Sequence, residues 1–400
     1  MSLFRIGFLP LADAALPIVA HEFGLAKAQG VAIELHRDRT WAAARDRLSY
    51  GQSDAAHMLA PLAIATSLGL DRPAVPLAAP FMLGLNGNTV TVSIAVAEVL
   101  GVGSGIEDSG RRLAALARER AAAGAKLRLA VVHRYSSHNY MLRYWLAACG
   151  CNPDEDVDIV VVPPPKIAEA FALGEIDGSC VGEPWNSVAV DRGDGVILAS
   201  TSMIWNRGVE KLLAFRTTVL DERRDEVEAL IRALHAAGEL IKGKDRQAEV
   251  ATLLAREDYI GLPAEMIGRA LSGRLLPRRD GPILHIPDFL VLHREAANFP
   301  WRSQAMWLYS QMVRWGHAPL DMKGFEDAAA VFRPDVYRSA LTGTGAILPN
   351  ASAKVEGAIG TSLGVGSVSG RLIMGPDRFF DGRTFDPDHA MDYARSFGEG

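Results

Sequence analysis

Ser136, Ser137 and His138 are the residues whose types and position best suit binding chemistry. An apolar run at residues 127–132 predicts a buried strand before them, and the helical spacing of apolar side chains at residues 140–148 predicts that a helix follows. The start of a helix offers free backbone N–H groups and the positive end of the helix dipole. The segment therefore predicts a site for a small anion.

A second apolar run, at residues 157–162, predicts the next strand. It stops at Pro163, Pro164 and Pro165, because proline cannot continue a sheet ladder. Strand, polar loop, helix and strand form a βαβ unit, in which small ligands lie beyond the carboxyl ends of the strands. The Ser/His segment lies at that edge.

An enzyme is the alternative class, because Ser137 beside His138 resembles a nucleophile beside a base. Adjacent residues on a helix point about 100° apart, so the two side chains are poorly placed to pair. The sequence also contains no His-Glu-x-x-His helix or Gly-rich phosphate loop. We therefore expect a binding protein that carries out no reaction.

Length and charge limit the possible architectures and partners. The 400 residues exceed one ordinary domain and predict two or three lobes. A formal net charge of −5, with no dense block of Lys and Arg, argues against nucleic acid as a direct partner. No apolar run approaches the roughly 20 residues that span a bilayer. The first residues lack the features of a secretory signal, which predicts a cytoplasmic protein.

Three cysteines, Cys149, Cys151 and Cys180, are too few and too unevenly spaced for a disulfide framework or a zinc cluster. Buried free thiols are the expected state. We expect neither a cofactor nor a metal.

An internal repeat with an offset of 123 residues indicates the architecture. Residues 4–6 (Phe-Arg-Ile) align with 127–129 (Leu-Arg-Leu), and Gly51 and Asp54 align with Gly174 and Asp177. In each copy the glycine should end a helix and the aspartate should begin a turn into a short strand. The pattern predicts an α/β protein with two copies of one lobe.

The same register places residues 13–15 where Ser136 to His138 stand in the second copy, so the two loops should face each other across a cleft. The chain should cross between lobes near residues 80–96 and 211–216, making a two-strand hinge. We expect residues 1–90 and 211–400 to form a discontinuous first lobe and residues 91–210 the second.

Further elements are predicted by apolar spacing. They are helices at residues 16–28, 111–123, 226–243, 248–256, 264–270 and 303–315, a loop at residues 101–110, and a frayed end at residues 398–400.

Several motifs together resemble one known family. They are Thr40-Trp41, residues 54–61, residues 86–88, Ser137-His138-Asn139, residues 143–146, residues 161–165 and residues 180–186. The sequence resembles the nitrate and bicarbonate solute-binding family, including its cytoplasmic nitrate-sensor branch. The resemblance implies a two-lobed type II periplasmic-binding-protein fold that closes on a small anion.

By this resemblance, the ligand-binding positions are Trp41, Asn88, His138, Pro164 and Lys211. The family often has Gln where Asn88 stands, so a water can complete that contact here. Bicarbonate binders tend to place a carboxylate and a metal ion near the position of Lys211. A lysine there supplies the positive charge itself, which favours nitrate first and nitrite second.

The sensor branch implies a partner, an RNA-binding transcription antiterminator that is held inactive until the anion binds. The alternative is the substrate-binding component of a nitrate or bicarbonate ABC importer whose signal peptide is missing from this sequence.

Each assignment has a structural alternative. Trp41 can be a packing aromatic, His138 a helix-start residue and Pro164 a strand terminator, while His57 is expected to be a core histidine. Glu183 can select among anions, or it can pair with Lys211 or Arg207.

Overall fold

The computed structural model describes residues 1–101, 103 and 105–398. The strands are β1 (Ser2–Phe8), β2 (Val31–Arg37), β3 (Ala55–Leu59), β4 (Leu77–Met82), β5 (Leu85–Asn86), β6 (Asn88–Ser93), β7 (Leu127–Val131), β8 (Val157–Val161), β9 (Gly178–Gly182), β10 (Gly195–Ser200), β11 (Lys211–Arg216), β12 (Arg274–Leu275), β13 (Leu284–His285), β14 (Leu290–Val291), β15 (Leu363–Val365) and β16 (Leu372–Met374).

The helices are α1 (Ala15–Glu22), α2 (Leu25–Ala28), α3 (Trp41–Ser49), α4 (Ala60–Leu68), α5 (Ile94–Leu100), α6 (Ile106–Ala122), α7 (Ser137–Ala148), α8 (Ile167–Ala172), α9 (Trp185–Arg192), α10 (Thr201–Ile204), α11 (Thr217–Glu222), α12 (Arg224–Ile241), α13 (Lys244–Leu254), α14 (Ala264–Leu271), α15 (Arg302–Arg314), α16 (Met322–Val331), α17 (Pro334–Leu341) and α18 (Ala390–Arg395). Among the helices of the described part, none is both long and apolar enough to cross a bilayer.

Two five-stranded sheets share one topology. The first has the order β2-β1-β3-β11-β4, and the second, read in the matching direction, has the order β8-β7-β9-β6-β10. In each sheet one strand that follows a lobe crossing, β11 or β6, runs antiparallel to its neighbours. The α/β class and the two copies of one lobe that the repeat predicts are confirmed.

The repeat also holds at the level of single residues. Ile6 pairs with Ala55 in the first sheet, and Leu129 pairs with Gly178 in the second, each partner being displaced by the same 123 positions. The N–H groups of Arg5 and Arg128 donate to Asp54 and Asp177 respectively, both at 2.8 Å. A one-residue slip would turn every buried side chain outward, so the shared register fixes both cores.

The chain passes between the sheets twice, before β6 and before β11. Strands of the first sheet come from residues 2–82 and 211–216, and those of the second come from residues 88–200. The proposed division at residues 90 and 210 stays a prediction, because the C-terminal segment contacts elements of both sheets. Phe379 stacks on Trp205, with ring centroids 4.8 Å apart, and Tyr144 of α7 donates to Asp381 at 2.8 Å.

Several predicted boundaries are wrong, and helix α13 begins at Lys244, four residues before the prediction. The predicted helix 16–28 is two helices, because Gly24 adopts a left-handed conformation with φ 70° between them. Helix α7 begins at Ser137, three residues before the prediction, because the Ser136 side chain caps it. Residues 106–110 of the predicted loop belong to α6. Val102 and Ser104 of that loop, and residues 399–400 of the predicted frayed end, lie outside the described residues.

Candidate functional site

Lys211, the first residue of β11, is fully buried at the meeting point of the two sheets. Its Nζ lies 2.8 Å from Asp13 Oδ2 and 2.9 Å from Glu210 Oε1, and it donates to Asn88 Oδ1 at 3.3 Å. Burial alone would lower the pKa of Lys211, but the two carboxylates raise it above its ordinary value. The lysine is therefore charged, and two negative groups share that charge.

Asp13 is the lobe-one residue that the repeat places opposite the Ser/His loop. Burial alone would raise its pKa, but Lys211 and His57 hold the pKa well below the ordinary range. His57 Nε2 lies 3.0 Å from Asp13 Oδ1, and His57 Nδ1 accepts from the Leu9 N–H at 3.4 Å. The prediction of a buried core histidine is correct, but His57 also contacts the charged centre.

Asn88, the first residue of β6, contacts both members of the Lys211–Glu210 ion pair. Its Nδ2 donates to Glu210 Oε2 at 2.6 Å, while its Oδ1 accepts from Lys211. The amide thus fixes both Lys211 and Glu210. A direct contact between Asn88 and a ligand stays a prediction.

His138 lies in the first turn of α7 and faces the same centre. Its Nδ1 is 3.7 Å from Glu210 Oε1, which is too long for a hydrogen bond, and within the described chain neither ring nitrogen has a hydrogen-bond partner. Burial lowers the pKa of His138 to about 4, so the imidazole is neutral near pH 7. Asp13 and His138 approach the Lys211–Glu210 pair from opposite lobes, as the repeat predicts.

Trp41 begins α3, whose N-cap Thr40 accepts from the Ala43 N–H at 3.1 Å. The indole ring lies against His57, with centroids 5.3 Å apart, and Lys211 Nζ is 5.9 Å from the indole centroid. The buried Nε1–H has no hydrogen-bond acceptor among the residues that the structure describes. An unpaired buried donor costs about 1–3 kcal/mol, which a ligand acceptor would recover.

Gly182, the last residue of β9, provides room beside the lysine. A Cβ there would lie 3.4 Å from Lys211 Nζ and 3.3 Å from Asn88 Oδ1. The glycine is required by this close approach and not by its backbone angles.

Pro164 is buried in the short helical turn Pro164–Lys166 after β8. Within the described residues no hydrogen bond or ion pair joins Pro164 to the charged centre, so its role as a ligand residue stays a prediction. Its neighbours Pro163 and Pro165 line a cavity of about 540 Å³ with Thr40 and Trp185.

Glu183 does not form either of the two ion pairs considered for it. Lys211 pairs with Asp13 and Glu210, and Arg207 pairs with Asp288 at 2.9 Å and Glu295 at 2.6 Å. Instead, Glu183 Oε2 accepts from the Ser187 N–H at 3.3 Å, in the first turn of α9. Burial raises the pKa of Glu183 to about 7.

Replacing Glu183 with Gln should stabilise the protein at alkaline pH. The folded-state pKa is raised, so the native carboxyl is neutral below pH 7 and carries a buried charge above it, and wild-type stability falls as pH rises through 7. With each pKa unit worth about 1.4 kcal/mol, Glu183→Gln should gain up to about 3 kcal/mol at pH 8 relative to pH 5. Urea unfolding at both pH values measures this, and an equal effect at both would contradict it.

Two hydrogen bonds join the lobes directly at the cleft. The Ala12 N–H donates to the Glu183 carbonyl at 3.0 Å, and Trp185 Nε1 donates to the Pro10 carbonyl at 2.9 Å. The cleft is thus closed over Lys211, and the fold and site together define a two-lobed solute-binding protein.

Comparison with known proteins agrees with this class. The NMT1-like family model matches residues 2–255, and the chain belongs to that family, among the nitrate and bicarbonate solute-binding proteins. The nitrate/nitrite binding protein NrtA of Synechococcus elongatus is 31% identical over 97% of this chain and 84% of its own length. The family is one of binding proteins, which confirms the expectation of a binder over an enzyme.

The nitrate import ATP-binding protein NrtC of Synechocystis is 32% identical over 84% of this chain, which spans only 49% of that relative. NrtC of Synechococcus elongatus is 31% identical, and 55% of its length is covered. The chain thus spans about half the length of these relatives. The crystal structure of the periplasmic nitrate-binding protein NrtA from Synechocystis PCC 6803 has a TM-score of 0.87, 24% identity and coverage of 100% of this chain and 99% of that one. That likeness shows the fold.

The resemblance drew attention to Lys211, Asn88, His138 and Trp41, but the sequence analysis missed Asp13 and Glu210 as parts of the centre. Both left a signal. Asp13 occupies the register of the Ser/His loop, and Glu210 directly precedes Lys211. The positive charge that the resemblance assigned to Lys211 is shared with these two carboxylates, both within 3 Å of Nζ.

Proposed function

We propose that the interlobe cleft binds nitrate, and more weakly nitrite. The observation that carries this proposal is the set of unpartnered nitrogens on Trp41 and His138 beside the charged Lys211, in the described part of the chain. A planar oxyanion offers acceptors in several directions, so it can meet an indole N–H and an imidazole N–H together. The names of the NrtA relatives support the same ligand.

Asp13 and Glu210 favour a monoanion, because one lysine already faces two carboxylates. The same carboxylates support a second candidate, bicarbonate bound with a divalent cation, and a bicarbonate transport protein is among the relatives. Calorimetry with nitrate, nitrite, and bicarbonate with and without calcium separates the two. We expect micromolar nitrate binding, since so small a ligand offers few contacts. Calcium-dependent bicarbonate binding without nitrate binding would overturn the proposal.

Nitrate affinity should rise as pH falls from 7 toward 5. A bound anion stabilises the imidazolium of His138, so the pKa of about 4 in the free protein rises in the complex and binding takes up a proton. Uptake of one proton can raise the nitrate affinity by at most tenfold for each pH unit. Glu183 also titrates in this range, so the test compares His138→Gln with Glu183→Gln by calorimetry. Loss of the pH dependence only in Glu183→Gln would contradict the role of His138.

We propose further that this binding serves a cytoplasmic sensor. Closure of the lobes on the anion shifts the population toward the closed form, and a partner that recognises only the open form is then released. The sequence resemblance to the nitrate-sensor branch supports an RNA-binding antiterminator as that partner. By linkage, the partner weakens anion affinity by the same factor by which the anion weakens partner binding.

The alternative output is delivery of nitrate to an ABC importer, which the NrtC relatives support. Co-purification of the full chain from its host, followed by a wash with nitrate, distinguishes the two. Release of an RNA-binding protein by nitrate supports the sensor. A complex with a membrane permease, or the absence of any complex that responds to nitrate, would contradict the sensor proposal and favour a role in transport.

A further inference from the structure

A cluster of two histidines and a glutamate lies outside the cleft, on α12 and the loop before α15. His235 and Glu239 are one helical turn apart on α12, and His293 approaches them from the loop. One potential ligand atom from each residue lies within 4.8 Å of the others. The three side chains line a cavity of about 610 Å³.

The orientation of the His293 ring is fixed by Asn298. Asn298 Nδ2 donates to the carbonyls of Met82 at 2.8 Å and Leu292 at 2.7 Å, so Asn298 Oδ1 must face His293. His293 Nδ1 lies 2.7 Å from that oxygen and must donate to it. In the neutral ring, the Nε2 lone pair then points at Glu239 Oε1, 2.6 Å away.

Nε2 and the carboxylate oxygen thus face each other at 2.6 Å, an arrangement of two ligand atoms that a metal ion can join. A histidine that binds a metal ion through one ring nitrogen usually donates its other ring N–H to an oxygen atom, as His293 does to Asn298. Helix α12 also leaves space for the His293 ring, at Gly238. A Cβ at Gly238 would lie 2.3 Å from His293 Nδ1, so glycine stands in the helix interior where it is otherwise disfavoured.

We propose that His235, Glu239 and His293 bind a divalent transition-metal ion of the Zn²⁺ class. Two imidazoles and one carboxylate are a ligand set that Zn²⁺ accepts, with a fourth position left open to a solvent molecule or a small ligand. That open position faces the cavity, which Arg232 and Arg294 also line. The Glu239 carboxylate has to move outward by roughly 1 Å, because ligand atoms at about 2.1 Å from one ion lie farther apart than 2.6 Å.

Lys242 is the competitor for the metal. Its Nζ lies 2.7 Å from both carboxylate oxygens of Glu239, but half of its side chain is exposed, so the lysine can turn toward solvent at little cost. Lys242→Ala should therefore raise zinc affinity by several-fold. This variant distinguishes a metal site from a purely electrostatic cluster.

The test is calorimetry and elemental analysis of the full chain with Zn²⁺. We expect one ion per chain and a loss of at least tenfold in affinity in His235→Ala and in His293→Ala. Asn298→Ala should weaken binding by about 10–100-fold. The matched control is His36→Ala, since His36 is partly exposed, lies 3.0 Å from Glu34 and belongs to no cluster of three such ligands in the described part of the chain.

Circular dichroism checks that each variant is folded, and nitrate binding should be unchanged in all of them because the cluster lies outside the cleft. Failure to bind zinc stoichiometrically, or equal zinc affinity in His235→Ala, His293→Ala and His36→Ala, would overturn the proposal. The Glu239–His293 contact would then be an ion pair with a protonated imidazole.

Discussion

We expect the Lys211→Met variant to lose nitrate binding and about 3–5 kcal/mol of its free energy of unfolding. Methionine retains most of the side-chain volume but removes the charge that pairs with Asp13 and Glu210. Removing one partner of a buried ion pair leaves uncompensated charge, which accounts for the loss of stability. Removing a cation from a desolvated anion typically costs a further 2–5 kcal/mol of binding, enough to abolish a micromolar site.

Lys354 provides the matched control, because it also lies between two buried carboxylates, Glu356 and Asp377, with only 13% of its side chain exposed. Lys354→Met should destabilise the protein to a similar degree and leave nitrate affinity unchanged. Urea unfolding and calorimetry on both variants provide the comparison. If a folded Lys211→Met variant retained its nitrate affinity, the anion would have to bind away from Lys211.

Arg207 is not a substitute source of charge in that event, since it is committed to Asp288 and Glu295. The triple variant Asp13→Asn, Glu210→Gln, Lys211→Met separates the two effects. It should recover stability, because an ion cluster replaced by neutral groups of similar volume is often tolerated, while nitrate binding stays lost.

The second large effect is expected at Phe379, whose ring packs on both Trp205 and Trp307, with centroid distances of 4.8 and 5.4 Å. Phe379→Ala should cost about 3–5 kcal/mol, as truncation of a fully packed aromatic does. Phe397→Ala, at a half-buried position in the same C-terminal region, should cost clearly less. Thermal and urea unfolding measure both. Equal small losses would show that the C-terminal segment contributes little to the fold.

Features within one lobe were predictable because they repeat. Gly51 and Gly174, each with positive φ, and Asp54 and Asp177, each bonded to the first strand of its lobe, are local signals at equal spacing. The offset therefore revealed the lobe order and the two facing loops before any contact was known.

Features that depend on long-range side-chain contacts were not predictable in this way. Glu210 is held in the site by Lys211 and also by Asn88, which lies 122 residues away and donates to it, a contact that no local pattern indicates. The C-terminal contacts of Phe379 and Asp381 with α7 and Trp205 arise from tertiary packing and leave no periodic pattern. The family resemblance supplied Lys211, whereas the structure was needed to show that its charge is shared.

The equal register of the two lobes also means that the cleft has two unlike walls. From the equivalent loops at residues 13–15 and 136–138, the first lobe presents the Asp13 carboxylate and the second presents the neutral His138 ring. An anion entering between them is repelled on one side and offered a donor on the other, so it should sit off-centre, toward α7. A ligand with two negative charges, such as sulfate, would be repelled by Asp13 and Glu210, and in the described part of the chain no second lysine or arginine pairs with these carboxylates. The two corresponding loops carry different side chains, and this difference should make the pocket select ligands by their charge.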